Sequence, residues 1–231
     1  MMEYMNMLSK VSNRIQKGSK KNWIIIGDNS SGKSELLRKL VSEINSPHYY
    51  IDTVNRYFDV KNVDLSTEAV NFNVTSEEII RERIKPTNYN LQDSFGRNDH
   101  IERLYRCYEV RVKELVKEFL NVEIHIEREQ LGEGFGEGDI TVKINGKETE
   151  LSSGYQAVVR LFAELVFFVE VLNEKGIIVI DEVDEFLSPK HSGRILNFLM
   201  EKFPENYFIV STHSSDLIAN SCNCSIVALG N

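Results

Sequence analysis

The chain has 231 residues, 42% hydrophobic and 10% aromatic, enough to bury a sizeable core without disulfides or other staples. A formal net charge of -8 and a pI near 5.3 argue against a protein that coats nucleic acid through bulk positive charge. No apolar run approaches the roughly 18 to 20 residues of a bilayer span, and the opening MMEYMNMLSKVSNR lacks a signal-peptide pattern, so a soluble, cytoplasmic protein is expected. Cys107, Cys222 and Cys224 are an odd set, and the last two supply only two thiols where a structural zinc needs four ligands.

In chain order, residues of about 4 to 17 are amphipathic and predict a leading helix. Trp23-Ile24-Ile25-Ile26 is a short apolar run ending at Gly27, which reads as a buried parallel strand. From Lys33 to Ile44, the residues Leu36, Leu37, Leu40, Val41 and Ile44 recur at helical spacing. The middle third predicts helices. Thr75 with Glu78 forms a capping box ahead of a short helix ending near Pro86, and Asp99 opens a long one whose stripe runs Ile101, Leu104, Tyr105, Tyr108, Val112, Leu115, Val116, Phe119. Core packing is the preferred reading of that stripe. Strands at Val122 to Glu127 and Asp139 to Ile144 flank a glycine-spaced loop, and Asn145-Gly146 has the chemistry of a tight hairpin turn.

Beyond them come a long apolar helix from about Tyr155 to Leu172, the strand Ile177 to Ile180, a helix from about Ser192 to Phe203, and strands Tyr207 to Val210 and Ile226 to Leu229. This alternation implies an α/β fold whose mainly parallel sheet is covered on both faces. We expect one domain over 1–231, with a helical lobe at about 60–120 and a β-hairpin insertion at about 121–151.

Four motifs carry chemistry. Gly27-Asp28-Asn29-Ser30-Ser31-Gly32-Lys33-Ser34 is a full G-x-x-x-x-G-K-S between a strand and a helix. Its glycines let the backbone wrap a phosphate, Lys33 reaches the β and γ phosphates, and the Ser34 hydroxyl ligates Mg²⁺. The apolar strand Ile177-Ile178-Val179-Ile180 delivers Asp181 and Glu182 at its C-terminal end, where open α/β sheets bind ligands. There Asp181 is placed to hold Mg²⁺ and Glu182 to orient or deprotonate a water. Leu151-Ser152-Ser153-Gly154-Tyr155-Gln156 opens a long helix; alone it would read as a serine cap. Val210-Ser211-Thr212-His213-Ser214 puts a histidine just past another apolar strand.

In this order, GDNSSGKS, LSSGYQ, IIVIDE and STH resemble the Walker A, signature, Walker B and switch histidine of ABC-type P-loop ATPases. Asn29, the LSSGYQ signature and the continuation DEVDEFLSP look closer to the SMC-like, RecF-like and OLD-like branch than to transporter subunits. That branch's D-E-P-E-x-x-L-H-P is altered here, with Val183 for its proline and Ser188 for its last histidine. The resemblance implies an ATP-dependent, head-to-tail homodimer in which Ser152, Ser153 and Gly154 of one copy meet the nucleotide held by Lys33, Ser34, Asp181, Glu182 and His213 of the other. It also implies a switch in DNA repair, anti-phage defence or control of a separately encoded effector. The alternatives are a transporter's nucleotide-binding subunit and an ATP sensor with little hydrolysis. Gln92 is a candidate by residue type for the family's glutamine between Walker A and signature, and the adenine-stacking residue is unassigned. Basic clusters at Arg81, Arg83, Lys85 and at Arg103, Arg106, Arg111, Lys113 leave nucleic-acid contact open, although intervening acids favour solvated helix faces.

Overall fold

The computed structural model describes residues 2–18, 21–53, 56–63, 76–84, 100–128 and 139–229. Five parallel strands form the main sheet: β1 (Asn22–Gly27), β2 (His48–Ile51), β6 (Ile177–Ile180), β7 (Tyr207–Thr212) and β8 (Cys224–Leu229), in the order β2-β6-β7-β1-β8. Three antiparallel strands, β3 (Ile124–Arg128), β4 (Ile140–Ile144) and β5 (Lys147–Glu148), make a second sheet. Asn145 at φ 50° and Gly146 at φ 78° form the tight β4–β5 turn that their types predict. The expected hairpin insertion is thus a three-stranded sheet.

Helices cover both faces of the main sheet, and the period-2 alternation of its strands divides the core in two. Trp23, Ile25, Tyr50, Ile177, Val179 and Ile209 pack with Leu36, Leu37 and Leu40 of α2 (Lys33–Glu43) and Ile15 of α1 (Met2–Lys17). Ile24, Tyr49, Ile51, Ile178, Ile180, Phe208 and Val210 face the opposite way. They pack with α5 (Glu109–Leu120), α6 (Ser153–Val166) and α7 (Pro189–Lys202). Every residue of β6 is buried, which is why that strand reads as an unbroken apolar run.

Several expectations need correction. His48–Ile51 was not anticipated as a strand; four residues after Pro47 carry too little pattern to separate a strand from a loop, and pairing with β6 decides it. The single long helix after residue 99 is broken into α4 (His100–Arg103), a 3₁₀ turn at Tyr105–Cys107 and α5. Its stripe is nonetheless core, since Ile101, Leu104, Tyr105, Tyr108, Val112, Leu115, Val116 and Phe119 are all buried. The helix expected to run to Leu172 ends as α6 at Val166 and continues as one π-type turn, Phe167–Val171. Helix α7 starts three residues earlier than read, with Pro189 in its first turn. Two further helices, α3 (Ser76–Arg83) and α8 (Ser215–Asn220), lie among the described residues. Thr75, Lys85, Gln92, Asp99 and the glycine-spaced loop at 129–138 lie outside the described residues.

Arg83 departs furthest from the solvated-face reading. It is 2% exposed and donates from Nη2 to Glu164 Oε1 at 2.7 Å and from Nη1 to the Tyr50 carbonyl. Arg160 joins from Nε to the same Glu164 oxygen at 2.8 Å and from Nη1 to both oxygens of Glu102 at 2.7 Å. The Tyr49 hydroxyl donates to Glu164 Oε2. Two arginines and two glutamates, all nearly inaccessible, thus tie α3, α4, α6 and β2 together. By contrast Arg106, Arg111 and Lys113 pair on the surface with Glu109, Glu114 and Glu170.

Candidate active site

Strand β7 lies between β1 and β6, so the residues following all three emerge side by side at the C-terminal edge of the sheet. The loop after β1 turns through Ser30 at φ 66° and Gly32 at φ 90° before α2 begins at Lys33. A side chain at Gly27 would meet Ser31 Oγ at 2.5 Å and the Leu229 carbonyl at 2.7 Å, so only glycine lets the loop close against β8. Asp28, Asn29 and Ser30 are exposed, Gly27, Gly32 and Ser34 half-buried, and Ser31 buried with its hydroxyl unpartnered.

Lys33 is buried and donates from Nζ to the carbonyls of Gly27 at 2.9 Å and Asp28 at 3.1 Å. Nζ also lies 3.5 Å from Nδ1 of His213, whose Nε2 is 2.9 Å from Glu182 Oε1. An ammonium has no acceptor, so Nδ1 accepts from Lys33 and Nε2 carries the proton that Glu182 accepts. Burial pushes the Lys33 amine below its ordinary pKa, against the opposing pull of Glu182, Asp181 and Asp28.

Asp181 is buried just past β6. Ser211 of β7 organises it: Ser211 Oγ donates to Asp181 Oδ1 at 2.5 Å and accepts from the Glu182 amide at 2.7 Å. Asp184 accepts from Thr212 Oγ1 at 2.7 Å and from Ser192 Oγ at 2.8 Å, pinning the next turn to β7 and α7. Glu182 at φ 50° and Phe186 at φ 62° bend the chain between these anchors. Burial, with Glu182, Asp181 and Asp184 nearby, lifts Glu185 to about 7 although Arg56 pulls it down.

Lys33, His213, Glu182 and Asp181 therefore belong to one cluster. Ser152, Ser153 and Gly154 do not join it: Ser152 caps its own helix by accepting from the Tyr155 amide at 3.4 Å, and Ser152 and Ser153 are exposed. Gly154 lies against the backbone of the bent segment, where an added side chain would stand 3.0 Å from the Phe186 carbonyl. Sequence reasoning missed Ser211, Asp184, Glu185 and Arg56. The first three sit inside or beside the motifs already quoted; Arg56 follows the strand that was overlooked.

No family model matches the chain. A crystal structure of the SmcHead bound to the C-winged helix domain of ScpA superposes on 91% of this chain and 87% of its own, with a TM-score of 0.50 and 14% identity. The chain has the fold of an SMC head. The resemblance drawn from the motifs stands at that level. Among curated proteins, the Septu protein PtuA of Bacillus mycoides is 29% identical over 109 residues, 45% of this chain and 15% of that protein. The Retron Vc95 probable ATPase of Vibrio cholerae is 36% identical over 87 residues, 33% of this chain and 17% of that protein. The chain thus matches less than a fifth of either relative's length. Among the described residues, no helix is long and apolar enough to cross a membrane.

Proposed function

We propose that this chain binds ATP with Mg²⁺ and hydrolyses it, and that ATP binding brings two copies together head to tail. The observation that carries this reading is the contact chain Lys33–His213–Glu182, which draws the ends of β1, β7 and β6 into one cluster on the ligand-binding edge of the sheet.

The residues present fit a phosphate chain and its cation. The Gly27–Ser34 loop is a backbone cradle that a side chain at Gly27 would fill, and the buried Ser31 hydroxyl points to no partner. Lys33, drawn back on carbonyls of its own loop, has a short reach to phosphate oxygens, which are stronger acceptors. The Ser34 hydroxyl and Asp181 carboxylate are hard oxygen donors of the kind Mg²⁺ takes alongside phosphates. Bound there, the ion would neutralise charge on the phosphate oxygens. Glu182 accepts a proton from, or orients, the attacking water, and His213 holds that carboxylate through Nε2. Ser211 fixes Asp181 and the Glu182 amide, so both carboxylates are set before substrate arrives.

Ser152, Ser153 and Gly154, exposed or half-exposed at the start of α6, are free to meet the nucleotide of a second copy. The biological setting we propose is a switch in DNA repair, anti-phage defence or control of a separately encoded effector. Partial matches to PtuA and to a protein named a probable ATPase support it. Glu182→Gln tests the chemistry: it should retain ATP binding by calorimetry while steady-state phosphate release falls by about 10²- to 10⁴-fold. A Glu182→Gln chain that turns over normally would remove Glu182 from this role.

A further inference from the structure

Glu182 is held with φ at 50°, a backbone conformation that residues with side chains seldom keep unless the surroundings impose it. Ser211 restrains the turn from the β7 side. From the other side comes Arg56, which follows β2, the strand flanking β6 opposite to β7. Its Nη2 donates to the Asp181 carbonyl at 2.9 Å and to the Glu182 carbonyl at 3.2 Å. Arg56 is 3% exposed, its Nε has no hydrogen-bond partner, and the carboxylates of Glu185, Asp181, Asp52 and Glu164 surround its charge. A buried guanidinium spent on two consecutive carbonyls of one turn is a costly way to fill space. It is an effective way to fix that turn.

The segment bearing Arg56 is anchored in turn. The Asp59 amide donates to Glu102 Oε1 at 3.3 Å, and Glu102 holds Arg160 of α6, the helix that opens with Ser152–Gly154. The restraint on the Glu182 turn is therefore continuous with the buried ion network rather than a local loop contact.

We propose that Arg56 is a positioning residue for Glu182, fixing through the two carbonyls the turn that aims this carboxylate at the water. The inference rests on the proposed role of Glu182 in hydrolysis. A displacement of about 1 Å at such a group costs on the order of 100-fold in rate. The effect should fall on the chemical step, because neither the phosphate loop nor its lysine touches Arg56 through the contacts described.

The test uses the full chain as Arg56→Met and Arg56→Lys, each alone and combined with Glu182→Gln. It reads ATP·Mg²⁺ affinity by calorimetry, single-turnover hydrolysis and the melting transition. Arg56→Met should lower the hydrolysis rate constant about 100-fold while the Kd for ATP stays within about threefold. Arg56→Lys, which keeps a donor and a charge, should recover part of the rate. In the Glu182→Gln background either change should cost less than about twofold, because a residue acting through Glu182 has nothing left to position. Normal hydrolysis by Arg56→Met in a chain where Glu182→Gln is inactive overturns the proposal while leaving the role of Glu182 intact. Loss of ATP affinity or of the fold in step with the rate, in both Arg56 variants, overturns it in favour of a purely structural arginine. Losses that multiply in the double variants overturn it as well. Normal hydrolysis by Glu182→Gln removes the parent reading, and the role of Arg56 with it.

Discussion

Two sets of charged residues lie at opposite ends of the solvation scale in this molecule. At the sheet edge, the Glu182 and His213 side chains are 31% and 37% exposed and hydrogen-bond to one another, with Lys33 on the far nitrogen of His213. Under α3 and α6, Glu164 is fully buried, accepts from two arginines and a tyrosine, and has its pKa lowered: burial raises it, but Arg83 and Arg160 together outweigh that cost. Both are glutamates on or next to a core element. The edge cluster retains accessible polar atoms for a ligand, whereas the buried network spends most of its hydrogen bonds on joining helices to β2, the Arg83 Nε being left without a partner. Function needs unspent valence; rigidity needs it consumed.

Exchanging the same atoms in the two places is the most decisive way to break this contrast. Glu164→Ala leaves Arg83 and Arg160 buried without their shared partner and should cost about 3–5 kcal/mol, read by urea or thermal unfolding. Glu182→Ala should cost about 1 kcal/mol or less, because it removes a 31% exposed side chain whose partner His213 is itself 37% exposed, while abolishing phosphate release. If Glu182→Ala unfolds the chain or Glu164→Ala leaves it untouched, the division of labour is misassigned.

Lys33→Ala comes next. It should remove most ATP affinity in calorimetry, because it deletes the phosphate-facing charge, while the far-ultraviolet spectrum and cooperative unfolding persist. Undiminished affinity would dissociate the loop from nucleotide binding.

A smaller, partial effect is expected from mixing two inactive chains, Lys33→Ala and Ser152→Arg. If each site joins the loop of one copy to the signature of the other, the mixture builds one intact site, and part of the turnover returns. If one copy supplied every group, each site would still carry a lesion. Crosslinking between cysteines placed near Ser31 and Ser153 of different copies, with and without ATP, covers the case in which both sites must fire together. Absence of both rescue and crosslink would reject the head-to-tail pair.

The smallest effect concerns Glu185, between the two regions. Its pKa is raised to about 7, so in the interval from the ordinary glutamate range up to about 7 the folded chain binds more protons than the unfolded one. Its contribution to stability is therefore greatest at acidic pH and is lost as pH rises through about 7. Glu185→Gln should flatten that part of the stability profile, and an unchanged slope would show that Glu185 is not its source.

The Gly27–Ser34 loop, the carboxylates after β6 and the histidine after β7 were legible because each follows an apolar run and is punctuated by residues with little latitude. Gly27 and Gly32 are required by a close approach and a positive φ, and Asp181 and Glu182 end a strand whose four residues are all buried. Arg56, Arg83 and Glu164 gave no such signal. Each lies among ordinary helical or loop residues, and Arg83 was read as part of a solvated face because its partner stands 81 residues away. Local sequence pattern thus determined the α/β class, the parallel sheet and the motif residues, since periodicity and turn chemistry act over a few neighbouring residues. Only the tertiary structure decided that β2 would flank β6, bringing Arg56 to the Glu182 turn and Glu102, Glu164, Arg83 and Arg160 into one buried cluster. The free energy of a buried charge depends on partners supplied by distant parts of the chain, and no local pattern records them.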